Sequence, residues 1–271
     1  MLVNPAEVRH AIESDSIAPC FQPVVDLRTL RLTGFEVLTR WNHPTLGPIL
    51  PKNFIHVAEE IGIIGILTRQ ILRSAFRSAS TLPERLSLAI NVSPIQLRFR
   101  SLPMQISEAA EEAGLPLDRV TIEITETAIL DNEDLAVTIA REMKEMGCRL
   151  ALDDFGTGYA SLRHLLALPF DQLKVDRSFV EEMVYRTESR KIVSAVVALG
   201  QSLGIETLAE GVETREQEKL LIQAQCGLAQ GWLYGRPLAA DQIPDMAAGL
   251  ARAAATSVEL SVEKKRLLSL G

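Results

Sequence analysis

"LALDDFGTGYASL", residues 150–162, sets an apolar run directly against two aspartates and a loop carrying Gly156 and Gly158. A run with so little polar alternation is what a strand covered on both faces looks like. Asp153 and Asp154 at its end repel each other if both are buried and ionised, and a bound cation is the commonest way to offset that cost. The stretch therefore predicts a buried parallel sheet whose strand ends meet at a charged site.

Working outward, the same texture recurs. Short β-prone runs lie at 20–27 ("CFQPVVDL"), 32–40 ("LTGFEVLTR"), 86–92 ("LSLAINV"), 120–125 ("VTIEIT"), 171–176 ("DQLKVD"), 205–211 ("IETLAEG") and 226–231 ("CGLAQG"). Amphipathic helices are predicted between them, at 53–79 in two pieces, 104–114, 131–146, 187–203, 214–223 and 241–252. Gly114, Gly147 and Gly204 punctuate three of the helix ends. Strands alternating with helices imply βαβ units. Eight runs in a chain of 271 residues fit a (β/α)8 barrel better than an open sheet. The first two runs are joined only by "RTLR" (28–31), which leaves no room for a helix. The expected fold is thus α/β, a modified TIM barrel with an antiparallel first strand pair.

Polar residues fall at consistent places on these runs: Glu36, Asn91, Glu123 and Glu126, Asp153 and Asp154, Lys174 and Asp176, Glu210 and Glu213, and Gln230. In a barrel these strand ends converge on one face, where active sites lie. Any one of them alone reads as a helix cap, a turn residue or a surface ion pair; their convergence argues for a site. The donors are oxygens with no His or Cys among them, which favours Mg²⁺ or Mn²⁺ over zinc or copper. So many carboxylates would hold two ions roughly 4 Å apart, the arrangement that clamps attacking and leaving oxygens in phosphoryl displacement. Lys174 would neutralise charge and help position a nucleophilic water. "GTGYAS" is not a dinucleotide-binding glycine signature, and "DFG" lacks the other segments of a protein kinase.

Composition narrows the classes further. With 28 basic and 35 acidic residues the net charge is −7, which argues against binding along a nucleic-acid polymer. Cys20, Cys148 and Cys226 show no metal-ligand spacing and read as reduced core residues of a cytoplasmic protein. No apolar run approaches the roughly 18 residues of a membrane span. The expected organisation is one domain over 1–250 and a C-terminal extension over 251–271, where Thr256 and Glu259 fit a capping box ahead of a short helix.

Together "FQPVVDL", "GFEVLTRWNHP", "NVSPIQL", "EITET", "LALDDFGTGYASL", "LKVDRSFV", "AEGVET" and "QGWLYGRPL" resemble the EAL domain, the bacterial cyclic di-GMP phosphodiesterase module, over about residues 18–248. The resemblance implies hydrolysis of cyclic di-GMP to linear pGpG. It implies metal ligands Glu36, Asn91, Glu123, Asp153 and Glu210, with Asp154 serving a second ion and Lys174 holding the hydrolytic water. Glu210 is also cast as a general base in the family. Arg40 and Asp176 are expected to contact substrate, and Glu213 and Gln230 to support the site. Glu126 is expected to anchor a functional loop, Phe155–Ser161, that couples to dimerisation. Two departures stand out: "EVL" for the name-giving "EAL", and Ala160 for serine in the loop. Val37 points away from the side of the strand that carries Glu36, so activity is expected to survive. The rival reading is a cyclic di-GMP receptor that binds without cutting; a different metal-dependent barrel enzyme is a third. A homodimer and a fused or associated sensory or cyclase domain are what the family leads one to expect.

Overall fold

The computed structural model describes residues 3–125, 128, 133–156, 165 and 168–250. After helix α1 (Pro5–Glu13), strand β1 (Ile17–Asp26) runs antiparallel to β2 (Leu32–His43), which ends in a short hairpin with β3 (Gly47–Ile49). Helices α2 (Ile55–Glu60) and α3 (Ile64–Ser80) lead to β4 (Ser87–Val92), α4 (Leu102–Ala113) to β5 (Val120–Thr125), and α5 (Glu133–Glu145) to β6 (Arg149–Phe155). Strand β7 (Gln172–Val175) is followed by α6 (Arg177–Glu182) and α7 (Thr187–Leu203), β8 (Glu206–Ala209) by α8 (Arg215–Gln223), and β9 (Leu228–Gln230) by a last helix over 243–250.

The strands order as β1-β9-β8-β7-β6-β5-β4-β2, and β1 pairs with β2 to close an eight-stranded barrel; β3 hangs outside on β2. From β2 through β4 to β9 neighbouring strands are parallel, and β1 alone is antiparallel to both its neighbours. The expected modified barrel with an antiparallel first pair is what the chain forms. The four-residue "RTLR" connection allows nothing else, because a parallel return needs a crossover. Three features escaped the sequence reading: α1, the β3 hairpin, and α6. Helix α1 is a capping-box start in which Asn4 accepts from the Glu7 amide while the Glu7 carboxylate accepts from the Asn4 amide. The loop-anchor residue Glu126, loop residues 157–161 and the extension 251–271 lie outside the described residues.

Alternation along each strand sorts the core into two parts. Outward residues such as Ile90, Val92, Ile122, Ile124, Leu150 and Leu173 join one large cluster under the helices. Val24, Leu208 and Leu228 form a separate small cluster inside the barrel. Polar side chains pointing inward from the same strands therefore stay out of the main core.

Candidate active site

The inward positions near the C-terminal ends of the parallel strands carry the chemistry. Register sets their relative heights: Asn91 on β4 pairs with Glu123 on β5, while Asp153 on β6 stands level with Thr125, two residues above Glu123. Lys174 on β7 pairs with Leu208 on β8, two residues below Glu210. The result is a lower layer of Glu123 and Lys174 and an upper one of Asp153 and Glu210.

Between Leu152 and Phe155 the β6–β7 register slips, so that Asp153 and Asp154 together oppose Lys174 alone. This is a bulge, and it explains the paired aspartates. In a regular strand they would face opposite sides; here Asp154 takes φ +57°, and its amide donates to Asp153 Oδ1 at 2.9 Å. Oxygens of Asp153, Asp154 and Glu210 come within 4.8 Å of one another, close enough to share a cation.

Lys174 is completely buried at the centre. Its Nζ lies 2.7 Å from Glu210, 2.9 Å from Glu123, 3.2 Å from Asp153 and 3.8 Å from Glu36. These are ion-pair distances without hydrogen-bond alignment, and both Glu123 oxygens likewise have no aligned donor. Glu36 is held from two sides: Asn91 Nδ2 donates to Oε1 at 2.7 Å and Gln230 Nε2 to Oε2. The same Gln230 amide reaches Glu210 Oε1 at 3.2 Å, and Gln230 Oε1 is buried without a partner. Gly231 permits this placement, because a Cβ there would stand 2.1 Å from the Val212 carbonyl oxygen.

Crowding of like charge sets the protonation equilibria. Burial pushes the Glu210 carboxyl up to about 8 against the pull of Lys174. Burial, then the neighbouring Asp153 and Asp176, raise Asp154 to about 6. Glu123 is raised well above the usual carboxylate range, again chiefly by burial. Glu36 goes the other way: burial works against ionisation, but Lys174 and the amides of Gln230 and Asn91 outweigh it. Lys174 is held firmly protonated, since the surrounding carboxylates overcome the cost of burying it.

Five carboxylates around one lysine leave an excess of negative charge, and an all-oxygen donor set with orphaned buried oxygens fits hard divalent cations. Glu36, Asn91, Glu123, Asp153, Asp154 and Glu210 are the residues that would hold them.

A cleft of about 670 Å³ opens above this cluster, lined among others by Glu36, Asp153 and Glu210 and by Arg40, Arg177 and Arg236. Trp232, half exposed, stands on its rim beneath two guanidinium groups, with Arg236 at 4.4 Å and Arg177 at 5.8 Å from the ring centroid. Glu213 also lines the cleft and pairs with Arg177 at 2.9 Å. Asp176 Oδ1 caps α6, accepting from the Ser178 amide at 2.9 Å and from the Ser178 hydroxyl. The sequence reading overlooked Arg177, Trp232 and Arg236. Signals existed for them: Arg177 follows the β7 strand end, and Trp232 and Arg236 flank a turn in "QGWLYGRPL".

The fold and the site define a class: a barrel whose C-terminal mouth combines an acidic cluster able to hold a cation with a cleft lined by arginines and a tryptophan. The EAL domain family matches residues 6–237, and the chain belongs to that family. It is similar to the cyclic di-GMP phosphodiesterase RocR of Pseudomonas aeruginosa, 39% identical over 251 residues that cover 92% of this chain and 64% of RocR. It is also 39% identical to the cyclic di-GMP phosphodiesterase NbdA of the same organism, over 86% of this chain and 30% of NbdA. The chain thus spans less than two thirds of these curated relatives. Among solved structures, the PaMucR phosphodiesterase in complex with c-di-GMP superposes with a TM-score of 0.84 at 34% identity, covering 88% of this chain and 98% of that one. No helix among the described residues is long and apolar enough to cross a membrane.

Proposed function

We propose that this chain hydrolyses one phosphodiester bond of cyclic di-GMP, giving linear pGpG, with two Mg²⁺ or Mn²⁺ ions at the acidic cluster. The observation that carries the reading is the convergence of Glu36, Asn91, Glu123, Asp153, Asp154 and Glu210 on Lys174 at the floor of the cleft. When bound cations hold all five carboxylates ionised, these and the one ammonium sum to −4, the charge that two divalent cations balance. When bound, such ions stabilise charge on phosphoryl oxygens and make water more acidic.

The chain's own residues do the rest. Asn91 and Gln230 fix the orientation of Glu36 by donating to its two oxygens. Lys174, with its ammonium at the centre of the carboxylates, would hold and orient the attacking water. Arg40, Arg177 and Arg236 supply charge for the two phosphates, and Trp232 offers a face on which a guanine stacks. Glu213 restrains Arg177 on the rim. Glu126 is assigned the loop-anchor role, and the active unit is a homodimer in the cytoplasm joined to a sensory or cyclase domain.

The test is chromatographic: incubate the chain with cyclic di-GMP and Mn²⁺, then with chelator. Metal-dependent pGpG is expected, with no product from Glu36→Ala or Asp153→Ala. Tight binding without product would move the chain to the receptor class.

A further inference from the structure

A second cavity, of about 350 Å³, lies on the other side of the barrel wall from the catalytic cleft, between β2, β4 and helix α3. Strand alternation relates the two. Glu36 and Asn91 point into the barrel, while their neighbours Val37, Ile90 and Val92 point outward and form one wall of the cavity. The opposite wall is the buried face of α3, with Ile64, Leu67, Ile71 and Leu72. Half-buried Pro51 and Ile55 stand at its rim.

Most of the polar side chains on these walls are already engaged. Gln96 Nε2 donates to Thr68 Oγ1 at 2.8 Å, Gln96 Oε1 accepts from the Ser93 amide at 3.1 Å, and Ser93 Oγ is bonded to Glu59. Asn91 donates to Glu36. No lysine or arginine lines the space among the described residues. The one charged side chain on the walls, Glu36, already has its carboxylate engaged by Asn91, Gln230 and Lys174, so an anionic occupant would find no counter-charge and a cationic one only a carboxylate that is already paired. The space opens to solvent at its rim, and an occupant with an aliphatic body would make dispersion contacts with Val37, Leu67, Ile71 and Ile90 that water does not make.

We propose that this cavity is a binding site for a small, neutral, aliphatic molecule with at most one polar end. At the ~30 Å³ that a water molecule occupies in the liquid, it has room for about ten non-hydrogen atoms. Glu36 and Leu38 line both this cavity and the catalytic cleft, and the test reads binding here without any turnover.

The experiment is a titration of the full chain with 1-octanol, followed by NMR of isoleucine δ-methyl groups. Saturable shifts are expected for Ile64, Ile71 and Ile90, which line the cavity, and none for Ile122 and Ile139, which are buried elsewhere in the core. Leu67→Phe, which fills the space, should keep the dispersed methyl spectrum and lose the response. Should that variant fail to fold, Thr68→Met at the half-buried edge serves the same purpose. Shifts of equal size at Ile122 and Ile139, no saturation up to the alcohol's solubility, or an unchanged response in a folded filled variant would overturn the proposal.

Discussion

Replacing Lys174 with methionine keeps the volume of a long unbranched side chain and removes the only cation at the centre of the site. The wild-type ammonium lies within 2.7–3.2 Å of Glu210, Glu123 and Asp153 and is wholly shielded from water. Removing one partner of a buried ion pair costs roughly 3–5 kcal/mol, because the remaining charge is left uncompensated. Part of that loss is recovered by protonating the carboxylates; Glu210, already pushed up to about 8, and Glu123, raised well above the usual range, are ready to accept a proton. We therefore expect a loss of about 3 kcal/mol at pH 8 in chelator, the lower end of that range. At roughly 2–4 °C per kcal/mol for a domain of this size, this is a fall of about 6–12 °C in Tm. The loss should shrink at pH 5, where Glu210, Glu123 and Asp154 hold protons, and Mn²⁺ should reverse most of it at pH 8 by supplying the missing charge. Differential scanning fluorimetry at the two pH values, with and without Mn²⁺, reads all three effects. A Tm unchanged at pH 8 in chelator, or an equal fall at both pH values, would refute the reasoning. The same variant should bind cyclic di-GMP while losing turnover.

Three further outcomes follow from the site. Glu210 and Asp154 are raised in the folded state to about 8 and about 6, so the stability they contribute is complete below their ordinary values and disappears as pH rises through those points. Metal-free Tm should therefore fall between pH 5 and 9 while saturating Mn²⁺ flattens the curve; a metal-free Tm that rises over this range contradicts the cluster. Asp154 sits at φ +57°, where a side chain costs roughly 1 kcal/mol, so Asp154→Gly should match or exceed wild-type stability in chemical denaturation yet fail to hydrolyse substrate, whereas Asp154→Ala gains no such relief. Trp232→Ala should raise KM about 10- to 100-fold through loss of one stacked base, with kcat little changed, and a fall confined to kcat would remove the tryptophan from the binding surface.

The barrel was legible because its parallel strands are buried on both faces and so write themselves as continuous apolar runs, such as "VTIEIT", observed as β5 from Val120 to Thr125. The acidic ends were legible for the same reason: a carboxylate closing such a run has no solvent-exposed face to explain it. What stayed hidden depends on partners distant in sequence. The bulge that turns Asp153 and Asp154 to one side exists only because β7 offers a single residue, Lys174, opposite them. The stacking of Arg177 and Arg236 on Trp232 joins the loop after β7 to the one after β9. Asp176 reads two ways: "DRS" is a helix-cap signal, and the structure has it capping α6, while the resemblance also gives it a substrate role that the capping geometry leaves open.

The central claim is that water, held at the acidic cluster, opens a cyclic di-GMP phosphodiester. The most direct test is a turnover of cyclic di-GMP with Mn²⁺ in water labelled with heavy oxygen, read by mass spectrometry. The account predicts linear pGpG carrying one labelled oxygen on its terminal phosphate, and only when metal is present. Unlabelled product, labelled product in chelator, or cyclic di-GMP recovered intact from a saturated complex would contradict it.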